Sequence, residues 1–301
     1  MASLEEKLII LVAPNGERIS GEGGIFVPIT PKEIVEEALR CEDAGASIIH
    51  VHGRDEETTF LSADKEIYNE TFRRIREQSD MLIEVTGVMG PLYDANTKEW
   101  IPCSDENRMD ILLGTDPKPD MIPTTVGTME MTGPAGHFAI FSSTPAFLRK
   151  FIPATVERNI SLEFEIWDTH FFCNALRLAE EGVFDRNMPL VINYCMSDHD
   201  GVQPATPRQL LHILDEGKRS FPQAKWYNTS RAKNYFQMIV LAISLGCNIV
   251  RVGAEDNTTL PNGEVAKSNA QLVETAVRIA RDLGRDIATP DEARKILGIT
   301  K

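Results

Sequence analysis

Short apolar runs alternate with longer amphipathic stretches eight times along this 301-residue chain, and that alternation restricts the fold more than any other feature. The apolar runs, read as strands, are Leu8 to Val12, Ser47 to His52, Met81 to Thr86, Met121 to Thr125, Ser161 to Ile166, Leu190 to Tyr194, Lys225 to Asn228 and Asn248 to Val252. The predicted helices are Pro31 to Ala44, Asp64 to Gln78, Asp105 to Leu113, Pro145 to Arg158, Phe171 to Glu181, Pro207 to Lys218, Arg231 to Leu245 and Ala266 to Leu283. A short one, Pro290 to Leu297, follows them. Thr30 caps the first helix and Pro31 occupies its first turn, while Gly45, Gly246 and Gly284 end the first, seventh and eighth.

Eight β-then-α units predict an α/β fold, a (β/α)8 TIM barrel, as a single domain spanning residues 1–301. A doubly wound open sheet is the structural rival. It would carry a glycine-rich phosphate loop, but no G-x-G-x-x-G follows the first strand.

Charge removes one class of partner. The net charge is −14, from 31 basic and 45 acidic side chains with no basic cluster, so no nucleic-acid partner is expected. No apolar run approaches the roughly 20 residues of a membrane span. The five cysteines are scattered without a C-x-x-C spacing, which points to reduced thiols and a cytoplasmic protein; the first residues do not read as a signal peptide.

The chemistry begins at His50-Val51-His52, where the second strand gives way to a loop. Side chains two apart on a strand share a face, so the two imidazoles form most of a divalent metal site. Imidazole suits zinc, and catalytic zinc sites take three protein ligands and leave a position open. In a barrel the third ligand should follow a strand, because chemistry collects at strand C-termini. The eighth strand exits into Gly253-Ala254-Glu255-Asp256-Asn257. Strands eight and two flank strand one in a closed barrel, so Glu255 can reach a metal held by His50 and His52. Zinc is the expected ion, although another divalent metal would suit the same ligands.

These motifs resemble the β-keto acid cleavage enzyme family. The matching elements run along most of the chain. They include Ile29 to Glu33, Ala44-Gly45-Ala46, the H-x-H at His50, Thr86-Gly87 and Gly127-Thr128. The series continues with Arg251-x-Gly253-x-Glu255-Asp256-Asn257, Ser268 to Val273 and Ala288 to Arg294. The resemblance implies a metal-dependent retro-Claisen exchange in which a β-keto acid and acetyl-CoA give acetoacetate and a new acyl-CoA. It implies that Asp256 is the general base and that Arg251 keeps it ionised and oriented. It places Glu17, Thr86, Gly87, Thr125 and Thr128 around the substrate, with Glu165 supporting the site from behind. It also implies a homo-oligomer, a tetramer. Lys225, Arg231 and Lys267 are candidate contacts for an anionic CoA.

The chain departs from a well-known member of the family at Val85, where that member has serine, and at Pro123, where it has threonine. The loop Ser197 to Gly201 and the stretch Asn228 to Arg231 replace the family's glycine-rich and Gly-Arg elements. Two other readings remain open at this point. One is a metal-dependent amidohydrolase, whose later histidines would be His170 and His199 and whose aspartate would be Asp256. The other is a metal-stabilised barrel that binds a metabolite without turnover.

Overall fold

The computed structural model describes residues 5–16, 24–87, 90, 92–94, 96–132, 138–198 and 202–300. Its elements in chain order are β1 (Ile9–Val12), α1 (Pro31–Asp43), β2 (Ile48–Val51), α2 (Lys65–Gln78), β3 (Leu82–Val85), β4 (Leu92–Asp94), β5 (Glu99–Ile101), α3 (Asp105–Gly114), β6 (Met121–Thr125), β7 (Thr128–Thr132) and β8 (Phe138–Ser142). They continue as α4 (Pro145–Glu157), β9 (Ser161–Ile166), α5 (His170–Glu180), β10 (Val191–Ser197), α6 (Pro207–Ser220), β11 (Lys225–Arg231), α7 (Tyr235–Ser244), β12 (Ile249–Val252), α8 (Asn269–Asp282) and α9 (Pro290–Leu297).

Eight strands pair in parallel in the order β11-β10-β9-β6-β3-β2-β1-β12. The two ends of this sheet come together just below β12. There Asn248 N donates to Trp226 O at 2.9 Å, and Trp226 N donates to Asn248 Oδ1 at 3.0 Å. The sheet is therefore a nearly closed barrel with helices outside it.

Local chemistry explains the helix boundaries. Thr30 accepts from Glu33 N at 3.1 Å while Glu33 accepts from Thr30 N at 2.9 Å, a reciprocal cap of about 1 kcal/mol. Thr289 caps α9 with the same reciprocal pair, and Ser104, Thr144, Thr206 and Ser268 cap α3, α4, α6 and α8 by accepting from one backbone N–H each.

Two apolar layers hold the barrel. The larger lies between strands and helices, with residues such as Ile10, Ile49, Ile83, Ile122 and Phe164. The smaller lies inside the barrel at the N-terminal ends of the strands: Ile9, Ile48, Leu82, Met121, Val191 and Ile249. Ala293 and Leu297 of α9 join that inner cluster and plug this end of the barrel. Each such side chain stabilises the fold by about 1.5–3 kcal/mol when fully buried. Water is thus kept from one end, and chemistry is confined to the other.

Two features differ from the sequence expectation. The hairpins β4–β5 and β7–β8 are inserted after β3 and β6, each paired antiparallel. Arg231, assigned above to the seventh helix, instead ends β11, and α7 starts at Tyr235. β10 and β11 each run further than expected, to Ser197 and Arg231, so their ends rise to the rim of the barrel.

Candidate metal centre and active site

Alternation along the strands makes the barrel interior change character from bottom to top. On β2 the inward positions run Ile48, His50 and, just past its end, His52; on β3 they run Leu82, Glu84 and Thr86. Register pairs His50 with Glu84 and Leu11 with Ile48. β1 lies between β2 and β12, pairing Leu11 with Arg251. That adjacency brings the residues after β12 over the two histidines.

His50, His52 and Glu255 come together as a buried group. His50 Nε2 and His52 Nε2 are 3.1 Å apart. Glu255 Oε2 lies 3.6 Å from the first and 3.4 Å from the second. That oxygen is buried and has no well-formed hydrogen bond. An ion about 2.0–2.2 Å from each donor in a tetrahedral set holds the donors about 3.3–3.5 Å apart. The separations therefore suit a divalent cation, and two imidazoles with one carboxylate are a catalytic zinc donor set.

The electrostatics agree with that use. Burial, and secondarily Arg251, push the His50 imidazole down to about 4, so the ring stays neutral, the form that binds metal. Burial works against charge on Glu255, but the Arg251 guanidinium overcomes it and holds the carboxyl well below its ordinary range. Burial also works against charge on Arg251, yet Asp256 and Glu255 hold its guanidinium well above the usual arginine value.

Asp256 sits beside this group with its side chain fully enclosed. Arg251 donates to it from Nε to Oδ2 at 2.7 Å and from Nη2 to Oδ1 at 3.2 Å. Arg251 Nη2 also lies 2.7 Å from Glu255 Oε1. Arg231, at the end of β11, reaches Glu255 Oε1 at 3.1 Å and Asp256 Oδ1 at 3.4 Å. Its guanidinium is thus engaged in the site, whereas Lys225 starts the same strand at the opposite end and pairs with Glu6 at 2.8 Å. Lys267 is exposed.

Of the expected substrate contacts, Thr86 and Gly87 follow β3 and are buried. A Cβ on Gly87 would fall 1.5 Å from Pro123 O, so only glycine permits this close approach of backbones. Thr125 ends β6 and donates to Glu165 Oε2 at 2.5 Å, both buried. Thr128 is exposed at the foot of the β7–β8 hairpin, paired with Ser142 at 2.8 Å. It lines a cavity of about 170 Å³ with Gly127, Asn174 and Arg177, which none of the three clustered metal donors lines. Glu17 lies outside the described residues. Val85 packs among the helices rather than facing the barrel interior, so a valine there does not alter the inner face.

His170 is exposed and begins α5, with Nδ1 3.7 Å from Asp168 Oδ1. It does not join the histidine pair, and His199 lies outside the described residues. Among the described residues the amidohydrolase arrangement is not assembled.

Sequence reasoning missed three residues of the interior. Glu84 Oε1 lies 2.7 Å from His50 Nδ1, with both side chains buried. Glu163 accepts from Tyr227 Oη at 2.7 Å. Burial raises the Glu84 carboxyl to about 7 and lifts Glu163 well above the ordinary range, with Glu84 adding to the Glu163 shift. Acidic residues set in apolar strand runs, Leu82-Ile83-Glu84-Val85 and Leu162-Glu163-Phe164-Glu165, were the available signal.

Comparison with known proteins bears on this geometry. The beta-keto acid cleavage enzyme family matches over residues 7–299. The chain is 35% identical to the 3-keto-5-aminohexanoate cleavage enzyme of Acetoanaerobium sticklandii, covering 98% of this chain and 100% of that protein. It is 30% identical to the 3-dehydrocarnitine:acetyl-CoA trimethylamine transferase of Rhizobium meliloti, covering 99% of each. The solved binary complex of ObcA with oxaloacetate superposes with a TM-score of 0.75 at 16% identity, over 91% of this chain and 68% of that one, a likeness of fold. With the family match spanning nearly its whole length, this chain belongs to the β-keto acid cleavage enzyme family.

Proposed function

We propose that this protein is a zinc-dependent acyltransferase that condenses a β-keto acid with acetyl-CoA and releases acetoacetate and a new acyl-CoA. The observation that supports it most is the convergence of His50, His52 and Glu255 beside the Arg251–Asp256 pair, in a member of this family. Relatives whose names specify acetyl-CoA as co-substrate support the CoA half of the reaction.

A zinc ion held by His50, His52 and Glu255 would act as a Lewis acid on the carbonyl of the keto acid. Asp256 is assigned as the general base. Its carboxylate is oriented by two hydrogen bonds from Arg251, and it lies one residue from the carboxylate assigned to the metal. Arg231 adds positive charge where negative charge develops on the substrate. Thr86, Gly87 and Thr125 at the tops of β3 and β6, with Thr128 and Glu17, are assigned to the substrate, and Glu165 to holding Thr125. The reading also carries a homotetramer, from the family resemblance, and a cytoplasmic location, from the five free cysteines. Among the described residues no helix is long and apolar enough to cross a membrane.

The test is incubation with acetyl-CoA and a panel of β-keto acids differing in side chain, with acetoacetate and acyl-CoA quantified. Formation of both in equal amounts from at least one acid supports the reading. Absence of both from every acid, with metal bound, overturns it.

A further inference from the structure

Glu84 has a position that its apolar strand does not explain. Its neighbours Leu82, Ile83 and Val85 are fully buried apolar residues, and Glu84 itself is 0% exposed. Burying a carboxylate without a partner is costly, so its partners indicate its use. Oε1 lies 2.7 Å from His50 Nδ1 across the β2–β3 register. Oε2 has no donor in the side chains around it, and neither does Oε2 of the neighbouring Glu163. The Glu84 and Glu163 carboxyls are close enough to share a side-chain hydrogen bond through one proton, and Tyr227 donates to Glu163 Oε1 at 2.7 Å. The chain Tyr227, Glu163, Glu84, His50 therefore runs up the inside of the barrel and ends at the imidazole that faces His52 and Glu255.

We propose that Glu84 is the positioning residue of the metal centre. Its carboxylate accepts the Nδ1 proton of His50 and so leaves the Nε2 lone pair of that ring directed at the point shared with His52 and Glu255. The proposal rests on the metal reading above. An imidazole with no partner at Nδ1 is free to rotate or to place its proton on Nε2, and either change removes a ligand. A carboxylate behind a metal-bound histidine prevents both. Glu163 and Tyr227 hold the Glu84 carboxylate in turn, from the plugged and dry end of the barrel.

The experiment uses full-length metal-free protein at pH 8, in wild type, Glu84→Leu and Glu84→Gln. The His50 tautomer is read by imidazole nitrogen NMR, and zinc affinity by titration with zinc alone. Circular dichroism melting of each metal-free variant records folding. Wild type should show His50 protonated at Nδ1. Glu84→Leu should move the proton to Nε2 and weaken zinc binding roughly 10- to 100-fold. Glu84→Gln, which keeps the shape, should weaken zinc binding in the same direction and serves if the leucine variant does not fold. A folded Glu84→Leu variant with the wild-type tautomer, or either folded variant with zinc affinity within twofold of wild type, overturns the proposal. Wild type that binds no zinc yet shows the Nδ1 tautomer overturns the metal reading instead, so the two failures are distinguishable.

Discussion

Arg251 grips Asp256 by both carboxylate oxygens, from Nε at 2.7 Å and Nη2 at 3.2 Å. The adjacent carboxylate, Glu255, turns one oxygen to the same guanidinium and the other toward the two histidines. Consecutive acids on one loop are thereby split into two environments. One shares a point with two imidazoles, and the other is fixed by a permanent cation.

That split separates the effects of two substitutions. Glu255→Ala removes a proposed metal donor, so bound zinc and turnover should be lost together. Asp256→Asn leaves all three donors in place, so zinc content should stay at the wild-type level. Turnover should fall about 10²- to 10⁴-fold, the usual contribution of a positioned base. Metal analysis alongside steady-state kinetics checks both; loss of zinc from the asparagine variant would show that Asp256 is assigned the wrong part.

Gly16 controls Glu255 through space. Its φ is +54°, and a Cβ there would lie 2.2 Å from Glu255 Cγ. Gly16→Ala should displace Glu255 and weaken zinc binding by on the order of tenfold or more. Gly182→Ala carries similar backbone strain, about 1–2 kcal/mol, at φ +76° with nothing within 4 Å of the new Cβ. Zinc titration of the two variants separates contact from strain: the first should lose affinity and the second should not.

Stability of the metal-free protein should fall as pH rises above neutrality. In the folded chain burial raises Glu84 to about 7 and Glu163 higher than its ordinary value, so the folded state holds these protons more tightly than the unfolded one. Their contribution is complete below the ordinary carboxylate range and is lost as pH rises through the folded values. His50, pushed down to about 4 by burial and Arg251, acts oppositely, but its contribution is complete above about pH 6.5. Chemical denaturation between pH 6.5 and 8.5 should therefore show a decline of up to about 1.4 kcal/mol per pH unit for each proton. Glu163→Gln should flatten it; an unchanged slope would remove Glu163 from this account.

The thiols should differ sharply in reactivity. Burial raises Cys103 to about 11 and Cys247 to about 12, and lifts Cys41 and Cys195 well above the ordinary thiol value. Cys173 is exposed. Alkylation of native protein at pH 8, mapped by peptide mass spectrometry, should modify Cys173 first and leave the other four largely unreacted.

Much of the barrel was legible because its periodicity is written in short apolar runs. β6 and β9 have the predicted bounds, Met121–Thr125 and Ser161–Ile166. The same rule places residues two apart on one face, which is how His50 and His52 were paired. The β4–β5 and β7–β8 hairpins escaped because each strand is only 3–5 residues long and sits within a βα connection. Arg231 was misplaced because a strand that rises to the barrel rim ends in polar residues, Asn228-Thr229-Ser230-Arg231, which resemble a helix start. Glu84 escaped because its meaning depends on the cross-strand partner His50, and register between strands is a tertiary property.

The proposed acyltransferase activity depends on one metal ion held by His50, His52 and Glu255. The most direct test measures zinc per chain in purified wild type and in the His50→Ala/His52→Ala variant, with acetoacetate formation from acetyl-CoA assayed in the same preparations. About one zinc per chain and acetoacetate in wild type, with neither in the variant, is the predicted result. Wild type without zinc, and activity unaffected by loss of both histidines, would contradict it.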